Sequence, residues 1–308
     1  MCSGPNSARR NCIGLLPNSL VARGASARRP PRSILPVQRS LTIKERIITA
    51  LIALPLLIAF IYFANTFVFS VFILAVSSLG LNEFYRLALP SELWVERKVA
   101  TLSGSALVAV IAFGGPTLAL PALVALFLFI ALFYLFRFDD ISRVAGHLAL
   151  TCAGFFYVSL LIVHVALLRN IEFGRGWIFF VLLAIMACDS AAYFTGSSLG
   201  RRKLYPAVSP KKSVEGALGG VAGSVVAALV VKFWFFPALG LVDCFVLGVL
   251  LAIVGQLGDL FESLLKRSFD VKDSGSLIPG HGGILDRLDS LLFAFPLAYY
   301  YARFFFHA

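Results

Sequence analysis

Apolar residues run along this chain in long blocks separated by short polar ones. Residues 47–81 contain no charged side chain. As one helix those 35 residues would extend about 52 Å, against a hydrocarbon core of about 30 Å, so the block must fold back on itself. The polar pair Asn65-Thr66 is the expected hairpin point and divides the block into spans over 47–64 and 67–84. Further blocks predict spans over 99–114, 117–136, 144–168, 176–199, 216–236, 239–258 and 290–306, nine helices in all.

Composition turns that pattern into a fold class. The chain has 308 residues, of which 59% are AVILMFWYC and 14% charged, where an ordinary soluble domain carries about 25% charge. With mean hydropathy +0.88 and 29 Phe there is too little polar surface to cover a water-soluble globule. Disorder and a soluble domain are both excluded, leaving an all-α polytopic membrane protein. The five cysteines show no paired spacing, which argues against a disulfide framework and against zinc; they read as small apolar fillers.

Charge then orients the chain. Placing the N-terminal tail on the cytoplasmic side puts 23 of the 27 Lys and Arg inside, in the tail and in loops 85–98, 137–143, 200–215 and 259–289. Outside lie Arg169, Arg175 and Arg303, while Lys232 falls near the outer end of a span, where its stem can snorkel. Residues 1–46 form a basic tail, expected to be disordered, that also suits an organellar transit peptide; without a recognisable module or interleaved aromatics it does not read as a nucleic-acid binder. The rest divides into N-terminal transmembrane helices over 47–175 and a C-terminal region over 176–308 that holds the chemistry.

The stretch Gly216-Ala-Leu-Gly219-Gly220-Val-Ala-Gly223 has GxxxG spacing in an apolar span and predicts close helix packing, not a nucleotide loop. No GxxxxGK[ST] or GxGxxG motif occurs, so any nucleotide must be held by other means. Six of the sixteen acids cluster in 259–289: Asp259, Glu262, Asp270, Asp273, Asp286 and Asp289. Such a charge run is ordinarily a solvated loop. Spacing argues for more, because on a continuing helix Asp259, Glu262, Ser263 and Lys266 share one stripe, and Asp286 and Asp289 form a second same-face pair. Carboxylates are the hard oxygen ligands Mg²⁺ requires, and neighbouring Lys and Arg suit phosphate oxygens. Between the pairs, the glycines of Pro279-Gly280-His281-Gly282-Gly283 would let the backbone approach a phosphate. His281 could ligate, transfer a proton or hydrogen-bond, and the last is favoured. Asp189, deep in the sixth span, reads either as an acid in a polar interhelical contact or as a metal ligand or wall of a polar cavity open to the cytoplasm. The basic loop after it, taken alone, is no more than positive-inside signal.

The 27-residue run from Ser263 to Asp289, with Lys266-Arg267, Lys272-Asp273, Pro279-Gly-His281-Gly-Gly and Asp286-Arg287-Leu-Asp289 at fixed spacing, resembles the signature of the phosphatidate cytidylyltransferase (CDP-diacylglycerol synthase) family. Asp189-Ser-Ala-Ala-Tyr193-Phe-Thr-Gly196 and Ser209-Pro-Lys-Lys-Ser-Val-Glu-Gly216 resemble that family's two upstream segments; the likeness is weak before residue 180 and absent in the tail. The resemblance implies transfer of CMP from CTP to phosphatidic acid, giving CDP-diacylglycerol and pyrophosphate, with Mg²⁺ required and K⁺ a candidate second ion. By carry-over, Asp259, Asp286 and Asp289 are expected to bind metal, joined by Asp189, with Lys266 and Arg267 at the catalytic centre. Lys211, Lys212, Glu215, Ser263, Lys272, Asp273, His281, Gly282, Gly283 and Arg287 are expected to bind substrate.

A water-borne nucleotide and a lipid that resists extraction, at about 0.8 kcal/mol per CH₂, can meet only at an interface. That requirement predicts a cavity at the inner ends of spans six, eight and nine, open to cytosol and bilayer. Short loops point first to a bacterial inner membrane, with a mitochondrial or plastid membrane second, and a homodimer is left open. One rival is a CTP-dependent polyprenol or phytol kinase, which would release CDP and need a base for the lipid hydroxyl. The other is a non-enzymatic ion-coupled transporter, which would carry ions without turning over nucleotide. Deleting residues 1–40 is expected to leave catalysis by the inserted protein intact; a truncated protein that inserts but is inactive would make the tail part of the machinery.

Overall fold

A computed structural model describes residues 43–138, 140–275 and 282–306, all within one compact unit. The expectations for the tail before residue 43 and for His281 lie outside the described residues. Helix α1 covers Ile43–Phe63, α2 Thr66–Ala88, α3 Trp94–Gly114 and α4 Ala119–Phe136. Then follow α5 (Ile141–Gly154), a π-helical turn (Phe155–Leu160) and α6 (Leu161–Arg169), which together make one rod. The C-terminal part contains α7 (Gly174–Leu199), a ribbon of β1 (Lys203–Tyr205) and β2 (Ser209–Ser213), α8 (Val214–Trp234), α9 (Leu241–Ser268) and α10 (Leu285–Phe304).

Helices suit long continuous apolar blocks in hydrocarbon, because there each backbone N–H and C=O finds its partner within its own segment. Among the described residues seven stretches are long and apolar enough to cross a membrane: α2, α3, α4 with its leading turn, the α5–α6 rod, α7, α8 and α9. The all-α polytopic architecture is therefore borne out. Each expected span overlaps a helix, although α1 adds only the shorter apolar stretch Leu54–Phe63, and α10 carries Asp286, Arg287, Asp289 and Arg303. The hairpin falls where expected: Asn65 caps α2 by accepting from the Val68 N–H at 2.8 Å.

Contacts between loops sort the chain into two ends. At one end Arg137 pairs with Glu96 at 3.2 Å, Lys212 with Asp259 at 2.5 Å, and Glu83 of α2 receives the Ile284 N–H at 2.7 Å. At the other, Arg169 donates to the Ala64 carbonyl at 2.9 Å, Arg175 lies over the Tyr62 ring, and Phe173 meets Phe306. The four basic loops thus share one end, as the charge count required. The ammonium of Lys232 lies at the outer end of α8, where it donates to the carbonyls of Leu239 and Pro237 and ties down the α8–α9 turn.

One local feature departs from expectation. Residues 200–215 are not a plain basic loop but hold the antiparallel ribbon, with Lys203 opposite Ser213 and Tyr205 opposite Ser209. An exposed basic stretch has no apolar alternation to announce a strand, yet its backbone groups still need partners, and the ribbon supplies them. Helix α9 continues past the expected span end at 258 to Ser268, as the common stripe of Asp259, Glu262, Ser263 and Lys266 required, and carries those residues on rigid backbone.

The Gly-rich stretch does serve packing. An added Cβ at Gly223 of α8 would lie 2.5 Å from the Ala191 side chain and 2.9 Å from the Ala187 carbonyl, so only glycine lets α8 and α7 approach this closely. Of the helix pairs, α7 and α8 make the most extensive contact. Replacing Gly223 by Val should wedge the pair apart at a cost of about 1–3 kcal/mol. Thermal unfolding in detergent should show a lowered midpoint, and an unchanged midpoint would show that the helices do not meet here.

Candidate active site

The tight α7–α8 pair, the ribbon that joins it and α9 together enclose a cavity of about 450 Å³. Its wall brings Asp189, Tyr193 and Ser197 from α7 to face Lys211 and Lys212 from β2 and Asp259 from α9. The ribbon sets the two lysines in place. Ser213 at its end accepts from the Gly216 N–H at 3.1 Å to cap α8, and Glu215 accepts from the Arg201 and Arg202 N–H groups at 3.0 and 3.2 Å. Glu215 therefore shapes the basic turn from behind. Gln256 donates to the Ala217 carbonyl at 3.2 Å and fixes α9 against α8 at the cavity floor.

Electrostatics explains why Lys212 turns inward. Asp189 is exposed into the cavity, and Asp189, Asp259 and Asp289 lie near enough for each charge to bear on the others. Three like charges in a setting this apolar need a cation among them. Lys212 meets that need in part, 2.5 Å from Asp259. As the side chains stand, no three His, Cys, Asp or Glu among the described residues form a ready ligand set. The donor chemistry nevertheless suits a hard divalent cation, since every nearby acid offers carboxylate oxygen.

A second cluster adjoins the first along the α9 stripe. Lys266 lies 2.5 Å from Glu262, one turn back on the same helix, and 2.8 Å from Asp286 at the start of α10. The Glu262 side chain is 3% exposed, so removing Lys266 would strand a buried charge at a cost of about 3–5 kcal/mol. Asp286 is further engaged by the Ser274 N–H at 3.0 Å and the Gly283 N–H at 2.8 Å. Its oxygens hold the chain leading into α10 as well as the lysine. Asp289, one turn on, accepts from the Ser290 N–H at 2.6 Å.

The structure thus draws Asp189, Lys211, Lys212 and Asp259 to one cavity, with Ser263 3.5 Å from Asp259, and draws Lys266 and Asp286 to the cluster beside it. Arg267, Lys272, Asp273 and Arg287 are exposed and stand away from the cavity wall, and Gly282 and Gly283 belong to the turn before α10. Sequence reasoning missed Gln256, Tyr157 and Glu83. Tyr157 lies in the π-helical turn, packed against Phe261 and Phe293, with a buried hydroxyl that has no hydrogen-bond partner among the described residues. A π turn leaves no compositional trace, whereas Glu83 did leave one: it is the acid that interrupts the last turn of an apolar block.

The model of the cytidylyltransferase family matches residues 44–305. Over 166 residues the chain is 41% identical to a phosphatidate cytidylyltransferase of Bacillus subtilis, covering 54% of this chain and 59% of that one. Over 161 residues it is 44% identical to a phosphatidate cytidylyltransferase of Brucella suis, covering 50% and 57%. It is also 43% identical over 135 residues to an uncharacterised Escherichia coli protein, YnbB, covering 44% and 45%. The aligned part thus spans between 45% and 59% of the length of these relatives. Because the family match runs through nearly all the described residues, from α1 through the cavity to the end of α10, the chain belongs to the cytidylyltransferase family.

Proposed function

We propose that the chain transfers CMP from CTP to phosphatidic acid, giving CDP-diacylglycerol and pyrophosphate. The observation that carries this reading is the cavity in which the lysines of β2 face the acids of α7 and α9, set at the basic end of a membrane bundle. The names of the Bacillus and Brucella relatives support the choice of phosphatidate as acceptor.

The chemistry asks little covalent participation of the protein. A phosphate oxygen of phosphatidate attacks the α-phosphorus of CTP, a new P–O bond forms, and the bond to the β-phosphate bridging oxygen breaks to release pyrophosphate. Phosphatidate is already ionised at neutral pH, so the reaction needs alignment and charge neutralisation more than a general base. Lys211 and Lys212 would hold the triphosphate, while Lys266, held between Glu262 and Asp286, would keep α9 and α10 aligned beside them. Asp189, Asp259 and Asp289 would hold Mg²⁺, with Asp286 ordering the turn that presents Asp289. A bound Mg²⁺ supplies Lewis-acid neutralisation of triphosphate charge. Lys212 would then leave Asp259 to meet the phosphates that accompany the ion. The acyl chains would remain in the bilayer, with the site at its inner face, and the bacterial relatives favour a bacterial inner membrane.

The decisive experiment supplies purified protein in detergent micelles with α-³²P-labelled CTP, Mg²⁺ and phosphatidic acid. Label entering the organic phase together with released pyrophosphate is the expected result. With a polyprenol or phytol supplied in place of phosphatidic acid, phosphorylated alcohol formed together with CDP would make the protein a kinase, and no turnover together with ion flux in proteoliposomes would make it a transporter. Asp289→Asn should lower turnover by on the order of 10²-fold or more while the protein still folds and inserts. Retention of most activity at saturating Mg²⁺ would remove Asp289 from the ion site. Lys212→Ala should raise the KM for CTP by about tenfold or more, the worth of a charged hydrogen bond, with a smaller change in kcat. An unchanged KM would show that this lysine does not hold nucleotide.

A further inference from the structure

We propose that Glu83, on α2 and far in sequence from the C-terminal motifs, is a positioning residue for this site: it caps α10 from across the bundle and so fixes Asp286 and Asp289. The first turn of any helix has N–H groups without intrahelical partners. In α10 the residue at the capping position is Ile284, whose side chain cannot accept a hydrogen bond. Glu83 fills the vacancy. One of its carboxylate oxygens accepts from the Ile284 N–H at 2.7 Å, the Leu285 N–H at 3.1 Å and the Ser274 hydroxyl at 3.3 Å. The Ile284 bond spans 201 residues of sequence.

Glu83 and Asp286 divide the work between them. Asp286 takes the N–H groups of Ser274 and Gly283, and Glu83 takes those of Ile284 and Leu285. The two carboxylates thereby tie Ser274 to the residues that open α10, and Asp286 stays aligned on Lys266. Local sequence accommodates the arrangement, since an added Cβ at Gly275 would fall 2.6 Å from one Glu83 oxygen and one at Gly283 2.5 Å from the other. Glu83 itself is 7% exposed, and a carboxylate at a helix N-terminus is also favoured by the helix dipole. Nothing in this geometry brings Glu83 to the cavity wall; it acts through α10.

The catalytic half of this inference rests on the proposed activity, so the test reads structure and turnover separately. Full-length wild type, Glu83→Gln and Glu83→Ala are compared in detergent by amide hydrogen exchange over residues 282–290 and by CDP-lipid formation. Glu83→Gln is isosteric and keeps one acceptor oxygen, so it should fold and fall between the other two. Exchange at Ile284 and Leu285 should accelerate by about five- to tenfold in Glu83→Ala, the worth of a lost helix cap, while a peptide within α3 stays unchanged. Turnover should fall by up to about 10²-fold through misplacement of Asp286 and Asp289, with the KM for CTP little altered because Lys211 and Lys212 are held by the ribbon. Unaltered exchange at 284–285 in Glu83→Ala overturns the cap, and accelerated exchange with unaltered kcat overturns the positioning role. Should wild type form no CDP-lipid, the proposed activity fails, while exchange still decides whether Glu83 holds α10.

Discussion

A carboxylate among apolar helices must find positive charge or N–H donors close at hand, and that requirement organises the basic end of this protein. Asp259 takes Lys212, Glu262 and Asp286 share Lys266, and Asp286 and Glu83 between them absorb four backbone N–H groups around α10. Desolvation makes each of these partners expensive to lose. The same cost is why so few acids sit inside the bundle and why those that do are mutually arranged.

The arrangement is useful because its charges are placed but not all saturated. Lys212 bridges to Asp259 at the cavity wall, where, in the reaction we propose, the triphosphate would take it. Lys266, by contrast, is locked between two acids and lends rigidity to α9 and α10. One side of the site can thus exchange partners with a highly charged ligand while the other side holds its geometry. That division suits phosphoryl chemistry, in which alignment and charge neutralisation carry most of the barrier lowering.

Helix packing and site geometry are coupled through small residues. Gly223 lets α8 lie against α7, which brings the ribbon and its lysines over Asp189. At the turn into α10, Gly283 admits the Glu83 carboxylate. At both places a side chain would separate elements whose closeness creates the site.

Features that depend on local composition and period are legible along the chain. Uncharged blocks set the spans because hydrocarbon rejects charge, Asn65 marked the first hairpin because its side chain can cap a helix, and the i, i+3, i+4, i+7 spacing of Asp259, Glu262, Ser263 and Lys266 announced one face of α9. Which of those charges meet depends instead on how the helices pack. The partnership of Lys212 with Asp259, the share of Asp286 between Lys266 and backbone N–H groups, and the reach of Glu83 across the bundle join segments far apart in the chain. No local period encodes such pairings, because they follow from where packed helices end, and that is settled only when all of the apolar surface is buried together.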